Sequence, residues 1–233
     1  MLRRIIPLSF IVLITISCST IPGPVDDKYL VDATGENKVK LKNLEDKIIK
    51  KNTEQKLSEE KLRLLLPQPD LFENEINLIE KDKNIINKEL EYYSERKDEK
   101  NEANKKDELQ KIEESLKIKR KLLGLKKLEK KYAETEVKLK NAELALYVAE
   151  WRFEKSKIAA IYRDKTEPAP VKKEDQGFID KYILQKDPDD RYGYKKYEIF
   201  YNDKMEELNK AKEYYIIAES DYLKEKKIIE NVK

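Results

Sequence analysis

The sequence predicts an all-α fold, an elongated antiparallel helical hairpin or coiled coil with a three-helix proximal bundle. Gly and Pro account for only 5 and 8 of the 233 residues, which leaves too few turn residues for a β-sandwich or barrel. Apolar residues recur at spacings of three and four, which is the helical period. Because 42% of the residues are charged, the apolar side chains suffice for narrow stripes between helices rather than for a globular core.

The first predicted helix covers about 36–66. Its apolar track consists of Leu41, Leu44, Ile48, Leu62 and Leu65. Lys51, Gln55 and Ser58 interrupt this track, so the helix is only weakly amphipathic in its middle.

A proline joint separates the first helix from a second one, predicted over about 71–98. Pro67 and Pro69 break the helix because proline lacks a backbone donor and clashes with the preceding turn. Asp70 is then expected to cap the second helix through its carboxylate. The apolar track of that helix consists of Ile76, Ile79, Ile86, Leu90 and Tyr93.

The strongly charged run 94–108 has two interpretations, a solvated continuous helix or the tip of a hairpin. Asn101 and Asn104 are the weakest helix formers in it, and an apolar pattern restarts at Leu109. These features favour the hairpin tip, with a returning helix predicted over about 105–163. Its first part, to about residue 124, carries essentially one apolar stripe, so we expect a single partner helix there.

The second half of the returning helix carries apolar residues on two faces. One stripe consists of Leu125, Leu128, Tyr132, Thr135, Leu139, Ala142, Leu146, Ala149, Phe153, Ser156 and Ala160. The other consists of Val137, Leu144, Val148, Trp151, Ile158 and Tyr162. A helix that is apolar on two faces needs two neighbours. The second neighbour is predicted to be a C-terminal helix over about 202–231. Large residues alternate with Ala on its apolar stripe and so allow close packing. The stripe consists of Tyr201, Leu208, Ala211, Tyr215, Ala218, Tyr222 and Ile229.

A loop predicted over 164–201 concentrates tyrosines. Five of them are candidate partner-binding residues: Tyr182, Tyr192, Tyr194, Tyr197 and Tyr201. Tyrosine combines a large rigid ring with a hydroxyl, which suits protein recognition and sugar stacking. The alternative is that these rings plug the open end of the bundle.

The N-terminus has the pattern of an export signal. Arg3 and Arg4 precede a short apolar run that ends at Cys18, the only cysteine. The motif Thr15-Ile16-Ser17-Cys18 resembles the lipobox of bacterial lipoprotein precursors, in the relaxed form found in spirochaetes, although Thr15 stands where Leu is usual. The resemblance implies a signal peptide over 1–17 and lipid attachment at Cys18, through fatty acyl chains such as palmitate. A flexible tether over 18–35 would follow. The alternatives are an uncleaved membrane helix and a soluble secreted protein.

The composition excludes several functions. With no His and one Cys, the chain cannot build a His-based triad, a His-ligated metal site or an intrachain disulfide. The net charge is +3, and the charges alternate instead of forming a basic face. We therefore expect no nucleic-acid partner, no small-molecule substrate, no metal and no cofactor.

These observations predict a non-enzymatic, lipid-anchored lipoprotein of the cell envelope, most readily of the outer membrane, that acts as a helical structural and interaction rod. The expected partners are the membrane, through the lipid, and other proteins, with self-association left open. The alternatives are a surface-exposed adhesin, a periplasmic adaptor of an export channel, and a glycan- or peptidoglycan-binding module that uses the tyrosine-rich loop.

Overall fold

The computed structural model describes Val25, residues 30–31, residues 33–166 and residues 194–231, with 162–166 described by their backbone alone. Four helices account for nearly all of this part: α1 (Gly35–Leu65), α2 (Gln68–Glu95), α3 (Glu99–Thr166) and α4 (Lys195–Glu230). The described residues are 94% helical and contain no strand. The predicted all-α fold is therefore confirmed.

The helices contribute to two compact units. Unit 1 comprises Met1–Lys50 and Leu144–Glu207, and unit 2 comprises Lys51–Glu143 and Leu208–Lys233. Both units draw on α1, α3 and α4, because each of these three helices passes from one unit to the other.

Unit 1 has a small apolar core that includes the residues just before α1. Ala33, Leu41 and Ile158 are buried together, and Leu30 and Trp151 pack against them. The predicted tether over 18–35 is therefore too long at its C-terminal end, because Leu30 and Ala33 pack into this core. Their turn is closed by a hydrogen bond from the Ala33 amide to the Leu30 carbonyl oxygen, 3.1 Å long.

The turn between α2 and α3 in unit 2 is a Schellman motif. Lys97 adopts a left-handed conformation with φ of 57°. Its amide bonds the Ser94 carbonyl oxygen, and the Asp98 amide bonds the Tyr93 carbonyl oxygen, at 3.1 and 3.0 Å. This is the hydrogen-bond pair that ends a helix at a left-handed residue.

Asp98 then starts α3 six residues earlier than the predicted start at 105. Its carboxylate accepts hydrogen bonds from the Asn101 backbone amide (3.2 Å) and the Asn101 side-chain amide (2.7 Å). Asp98 therefore acts as the N-cap of α3. The hairpin tip is present, but it is a tight turn at 96–98, and Asn101 and Asn104 lie within the first turns of α3.

Ion pairs fix the antiparallel alignment of α2 and α3 on either side of this turn. Partners lie at similar sequence distances from Lys97, as an antiparallel hairpin requires. The pairs are Lys105–Glu89, Lys83–Glu113, Arg120–Glu80, Lys119–Glu75 and Lys127–Glu73, with nitrogen–oxygen distances of 2.5–2.8 Å.

The proline joint interrupts the helix for only two residues. α1 ends at Leu65 and α2 begins at Gln68. Pro67 itself has helical angles, φ −79° and ψ −12°, and makes no side-chain cap. The prediction that Asp70 caps the second helix is therefore wrong. Asp70 lies in the first turn of α2, where its negative charge is favourable beside the exposed backbone amides.

The two apolar stripes of α3 are turned away from solvent as predicted. Apart from Tyr162, whose side chain is not described, every residue of both stripes is buried or half-buried. Two neighbours cover them: α1, as in the Lys40–Glu154 ion pair of unit 1, and α4, as in the Phe153–Tyr201 ring contact of unit 1. The expected two neighbours are thus confirmed.

Helix occupies both ends of the segment predicted as a loop over 164–201, because α3 continues to Thr166 and α4 begins at Lys195 rather than at 202. Residues 167–193 lie outside the described residues. The Tyr197 and Glu198 amides both bond the Tyr194 carbonyl oxygen, at 2.9 and 3.2 Å, which starts the helix. Helical backbone therefore extends through Tyr197 and Tyr201.

A larger side chain should test the close packing around two enclosed alanines, one in each unit. The exposed fraction is 0% for Ala149 and 2% for Ala218. We expect Ala149→Leu and Ala218→Leu each to lower the free energy of unfolding by about 1–3 kcal/mol, because no space exists for the larger side chain. Urea unfolding followed by circular dichroism measures this. Ser220→Leu, at an exposed position of α4, is the matched control, and equal stability of all three variants would contradict the packing.

Glycine should relieve the strain at the α2–α3 turn. A non-glycine residue at a left-handed position has a steric cost. We therefore expect Lys97→Gly to raise the free energy of unfolding by roughly 0.5–1 kcal/mol. Lys111→Gly, at an exposed position in the interior of α3, should have the opposite effect by about 1 kcal/mol. A loss of stability in Lys97→Gly would show that the turn is not left-handed.

Candidate functional site

Only part of the predicted site lies in the described residues. Cys18, Tyr182 and Tyr192 lie outside them. Tyr194 is half-buried in the turn before α4, and Tyr197 and Tyr201 lie on the first turns of α4 in unit 1.

Tyr197 is a core residue rather than a contact residue. Only 6% of it is exposed, and Lys196 places its ammonium nitrogen 5.4 Å from the ring centre. Burial raises the pKa of the Tyr197 hydroxyl, although the nearby Arg152 opposes the change. This ring is therefore not available to an external partner in the folded chain.

Tyr201 also packs inward. Its ring stacks on Phe153 of α3, with ring centres 6.0 Å apart and an angle of 21° between the planes. Burial raises the pKa of its hydroxyl, and the charges of Glu150 and Glu154 raise it further. The described end of the tyrosine-rich segment thus agrees with the plugging alternative for Tyr197 and Tyr201.

A second tyrosine cluster, which the sequence reasoning did not identify as a site, joins α3 to α4 in unit 2. Tyr132 stacks on Tyr222 with ring centres 5.6 Å apart and an interplanar angle of 8°. Its ring also lies 5.3 Å from that of Tyr215. We call Tyr132, Tyr215, Tyr222 and Glu219 the tyrosine cluster. Its three tyrosines lie on the predicted apolar stripes and Glu219 does not, but spacing along the sequence does not predict the register that brings the four residues together.

Hydrogen bonds tie the tyrosine cluster together. The hydroxyl oxygens of Tyr132 and Tyr215 are 2.8 Å apart, and either can donate to the other. They lie 3.1 and 3.4 Å from Glu219 Oε1, which accepts from the hydroxyl that does not donate to its neighbour. Lys61 of α1 places its nitrogen 5.2 Å from the Tyr132 ring centre. Burial, together with these neighbours, raises the pKa of Tyr132, so its hydroxyl stays protonated and acts as a donor at neutral pH.

A ring of four charges connects α1 to α3 elsewhere in unit 2. Lys51 donates to Glu54 at 2.8 Å and to Glu143 at 2.9 Å. Lys140 donates to the same two carboxylates, at 3.1 and 3.2 Å. We call these four residues the charge ring. The charge ring accounts for the interruption of the α1 apolar track at Lys51. Lys51 still contacts α3, but it does so through a charged hydrogen bond to Glu143 rather than through an apolar side chain.

The charge ring shifts the pKa values of its members. Burial alone would lower the pKa of Lys51 and Lys140, but their hydrogen bonds to the two glutamates outweigh it and raise both pKa values. The hydrogen bonds from Lys51 and Lys140 lower the pKa of Glu54. Each of these shifts favours the charged form, so the ring is a stabilising contact rather than a source or acceptor of protons near neutral pH.

Buried hydroxyl groups in both units are already bonded to the backbone. Ser58, Thr135 and Ser156 are buried, and each donates to the carbonyl oxygen three residues earlier, at 2.7–2.8 Å. None of the three has a basic side chain positioned to activate it as a nucleophile among these contacts.

The α2–α3 hairpin also has a shallow groove with mostly charged walls. Its lining includes Glu80, Lys83, Asn84, Glu113 and Arg120. Two ion pairs, Lys83–Glu113 and Arg120–Glu80, use most of these charges. The groove is therefore a part of the helix interface, not a preformed ligand pocket.

Within the described residues, no group of three or more acidic or cysteine side chains is arranged to hold a metal ion. In the same part of the chain no helix is long and apolar enough to cross a membrane. No family model, curated protein or solved structure matches the chain.

The charge ring predicts a specific pH dependence of stability. The pKa of Glu54 is below its ordinary 4.5, so its contribution is present above pH 4.5 and is lost as the pH falls through the lowered pKa. The pKa values of Lys51 and Lys140 are above 10.5, so their contribution is present below pH 10.5 and is lost above it. We expect Glu54→Gln to reduce the loss of stability between about pH 4.5 and pH 3.

Chemical denaturation at pH 7, 4.5 and 3 measures this difference. Glu59→Gln, at an exposed position of α1, is the control and should keep the wild-type pH profile. The charge ring would be excluded if Glu54→Gln and wild type lost stability in parallel on acidification.

Proposed function

We propose that the chain is a non-enzymatic, lipid-anchored lipoprotein of the cell envelope whose helices serve as a structural and interaction scaffold. The observation that carries the proposal is that the side chains of α3 are engaged in contacts with the other helices. Its 68 residues bind α1, α2 and α4 through apolar stripes, the charge ring and the tyrosine cluster. The ionisable side chains of the charge ring and the tyrosine cluster thus bind neighbouring helices to one another.

Membrane attachment is proposed to depend on Cys18. Removal of residues 1–17 takes Arg3 and Arg4 from the 50 basic residues and leaves 48 against 47 acidic residues, a net charge of +1. Such a balanced surface has no polybasic patch to attract anionic lipids. Acyl chains on Cys18 would supply the attachment instead, at about 0.8 kcal/mol for each buried CH₂ group.

The scaffold is proposed to bind other proteins. Charged side chains cover much of the described surface, yet large apolar residues are exposed on α1, α2 and α4. Contiguous exposed apolar residues are typical of interaction surfaces. The inward packing of Tyr197 and Tyr201 weakens the alternative of a glycan- or peptidoglycan-binding module, whereas the adhesin and the export-channel adaptor remain alternatives within the same class of protein-binding scaffold.

The lipid anchor is tested by expressing the full chain in a bacterium that processes lipoproteins. We expect the protein to enter the detergent phase of a Triton X-114 extraction, with a mature N-terminal peptide that begins at acylated Cys18. Cys18→Ala should retain residues 1–17 and lose the acyl mass. Ser19→Ala, at the next position, is the control and should be processed normally.

Recovery of the wild-type chain in the aqueous phase, or a mature peptide that begins elsewhere, would contradict the anchor. Protease treatment of intact cells then separates the alternatives. Cleavage in intact cells favours the adhesin, and protection until the outer membrane is opened favours a periplasmic scaffold.

A further inference from the structure

An exposed apolar residue recurs every seven positions along α1 and α2 in unit 2. The six residues are Leu57, Leu64, Leu71, Leu78, Ile85 and Tyr92, and between 46% and 66% of each is exposed. We call them the heptad seam. Single exposed leucines are common on protein surfaces, but six at a constant spacing of seven lie along one line of the helix surface and occupy one of the two apolar positions of the coiled-coil heptad.

The proline joint does not interrupt the heptad seam. The Leu66 amide bonds the Leu62 carbonyl oxygen at 3.0 Å, and the Leu71 amide bonds the Pro67 carbonyl oxygen at 3.1 Å. Both are helical hydrogen bonds four residues apart, one on each side of the joint. Leu64 and Leu71 are accordingly both exposed, at 62% and 58%, although they belong to different helices.

The residues on one side of the heptad seam, which we call its occupied rim, pack against α3. The residues that directly follow the seam residues are buried or half-buried: Ser58, Leu65, Phe72, Ile79, Ile86 and Tyr93. Four positions after a seam residue, Lys61, Glu75 and Glu89 form ion pairs with α3. One rim of the seam is therefore part of the intramolecular interface.

The other rim is exposed and has opposite charge at its two ends. It is formed by the residues directly before each seam residue: Lys56, Arg63, Asp70, Asn77, Asn84 and Glu91. Lys56 and Arg63 are basic, whereas Asp70 and Glu91 are acidic. All six positions are exposed.

This arrangement distinguishes between parallel and antiparallel pairing of two copies. In a parallel pair the exposed rim of one copy would face the occupied rim of the other. In an antiparallel pair like rims meet, and Lys56 of one copy then lies opposite Glu91 of the second copy. Opposite charges at such flanking positions are what sets helix orientation.

We propose that the heptad seam is an antiparallel interface with a second copy of this chain. Leu57 then packs near Tyr92 of the second copy, Leu64 near Ile85, and Leu71 near Leu78. Each partly exposed seam residue offers on the order of 100 Å², so the pair would bury about 1,200 Å² in total, at the lower end of the range for stable interfaces. This interface does not depend on lipid attachment, and it adds self-association to the proposed scaffold function.

Substitutions on the seam test the proposal in the full chain, kept in mild detergent and examined by density-matched sedimentation equilibrium. We expect wild type to form dimers, and Leu71→Glu and Leu78→Glu each to weaken the dimer at least about tenfold, because both lie at the centre of the interface. Both residues are exposed, so helicity and urea stability should remain those of wild type. Ile217→Glu, in the irregular exposed apolar patch of α4 that also includes Tyr214 and Ile216, is the control.

A charge exchange tests the antiparallel direction. Lys56→Glu and Glu91→Lys should each weaken the dimer, because each places like charges opposite one another. The double variant Lys56→Glu/Glu91→Lys should restore wild-type association. Asn74→Cys, which lies close to the two-fold axis of this arrangement, should form an intermolecular disulfide on oxidation, whereas Leu57→Cys, whose counterpart lies at the far end of the interface, should not; wild type gives the background from Cys18.

Three results would overturn the proposal. One is a wild-type chain that stays monomeric at concentrations of about 100 μM, well above those at which a stable interface forms. Another is loss of the dimer in Ile217→Glu but not in Leu71→Glu, which would assign association to α4. The third is cross-linking through Leu57→Cys, which would indicate parallel pairing, because only then does a seam residue at the end of the interface face its own counterpart.

Discussion

The structure depends on the two apolar faces of α3 between about residues 132 and 160. One face packs against α1 and the other against α4, and each unit contains an almost completely enclosed alanine, Ala149 in unit 1 and Ala218 in unit 2. Since burial of apolar side chains is the main favourable contribution to folding, this stretch accounts for the cohesion of a chain in which 42% of the residues are charged. The other helices gain their positions by packing against α3.

Charge has a different role, which is to fix alignment. The α2–α3 ion pairs are mostly exposed, and exposed pairs contribute only about 0–1 kcal/mol each. Their regular placement on either side of the turn nevertheless penalises any slip of one helix along the other, because a slip would bring like charges together. The charge ring also fixes the alignment of α1 with α3. Its four side chains are less exposed than most of the α2–α3 pairs, and it lies in the middle of α1, where polar residues interrupt the apolar track.

The fold could be predicted from the sequence because helical periodicity is a local signal. The spacing of apolar residues predicts the stripes of α3, and the two prolines predict the break near Pro67. The predicted start of α3 is six residues late because it takes Asn101 and Asn104 as turn residues, whereas the Asp98 carboxylate accepts from the Asn101 amide and so makes the two asparagines compatible with the helix. At Asp70 the sequence predicts a cap that the structure does not contain. Pro67 has helical backbone angles, so the helix interruption is too short to create a new helix start at Asp70.

The sites were harder to predict because they depend on register between distant segments. Tyr132 and Tyr215 were each assigned to an apolar stripe, but only the alignment of α3 with α4 places their hydroxyls 2.8 Å apart. The heptad seam was missed for a related reason. Leu64 and Leu65, like Ile85 and Ile86, are adjacent apolar residues, and the sequence alone does not show which of the two faces α3 and which is left exposed.

Native-state hydrogen exchange of the full chain, read by mass spectrometry of peptides, tests the central claim about α3 most directly. If α3 organises both units, the amides between Ala133 and Ile158 should exchange most slowly, with free energies of opening near that of global unfolding. The amides of α2, which pack on one side only, should exchange faster. Equal or slower exchange in α2 than in this part of α3 would contradict the claim.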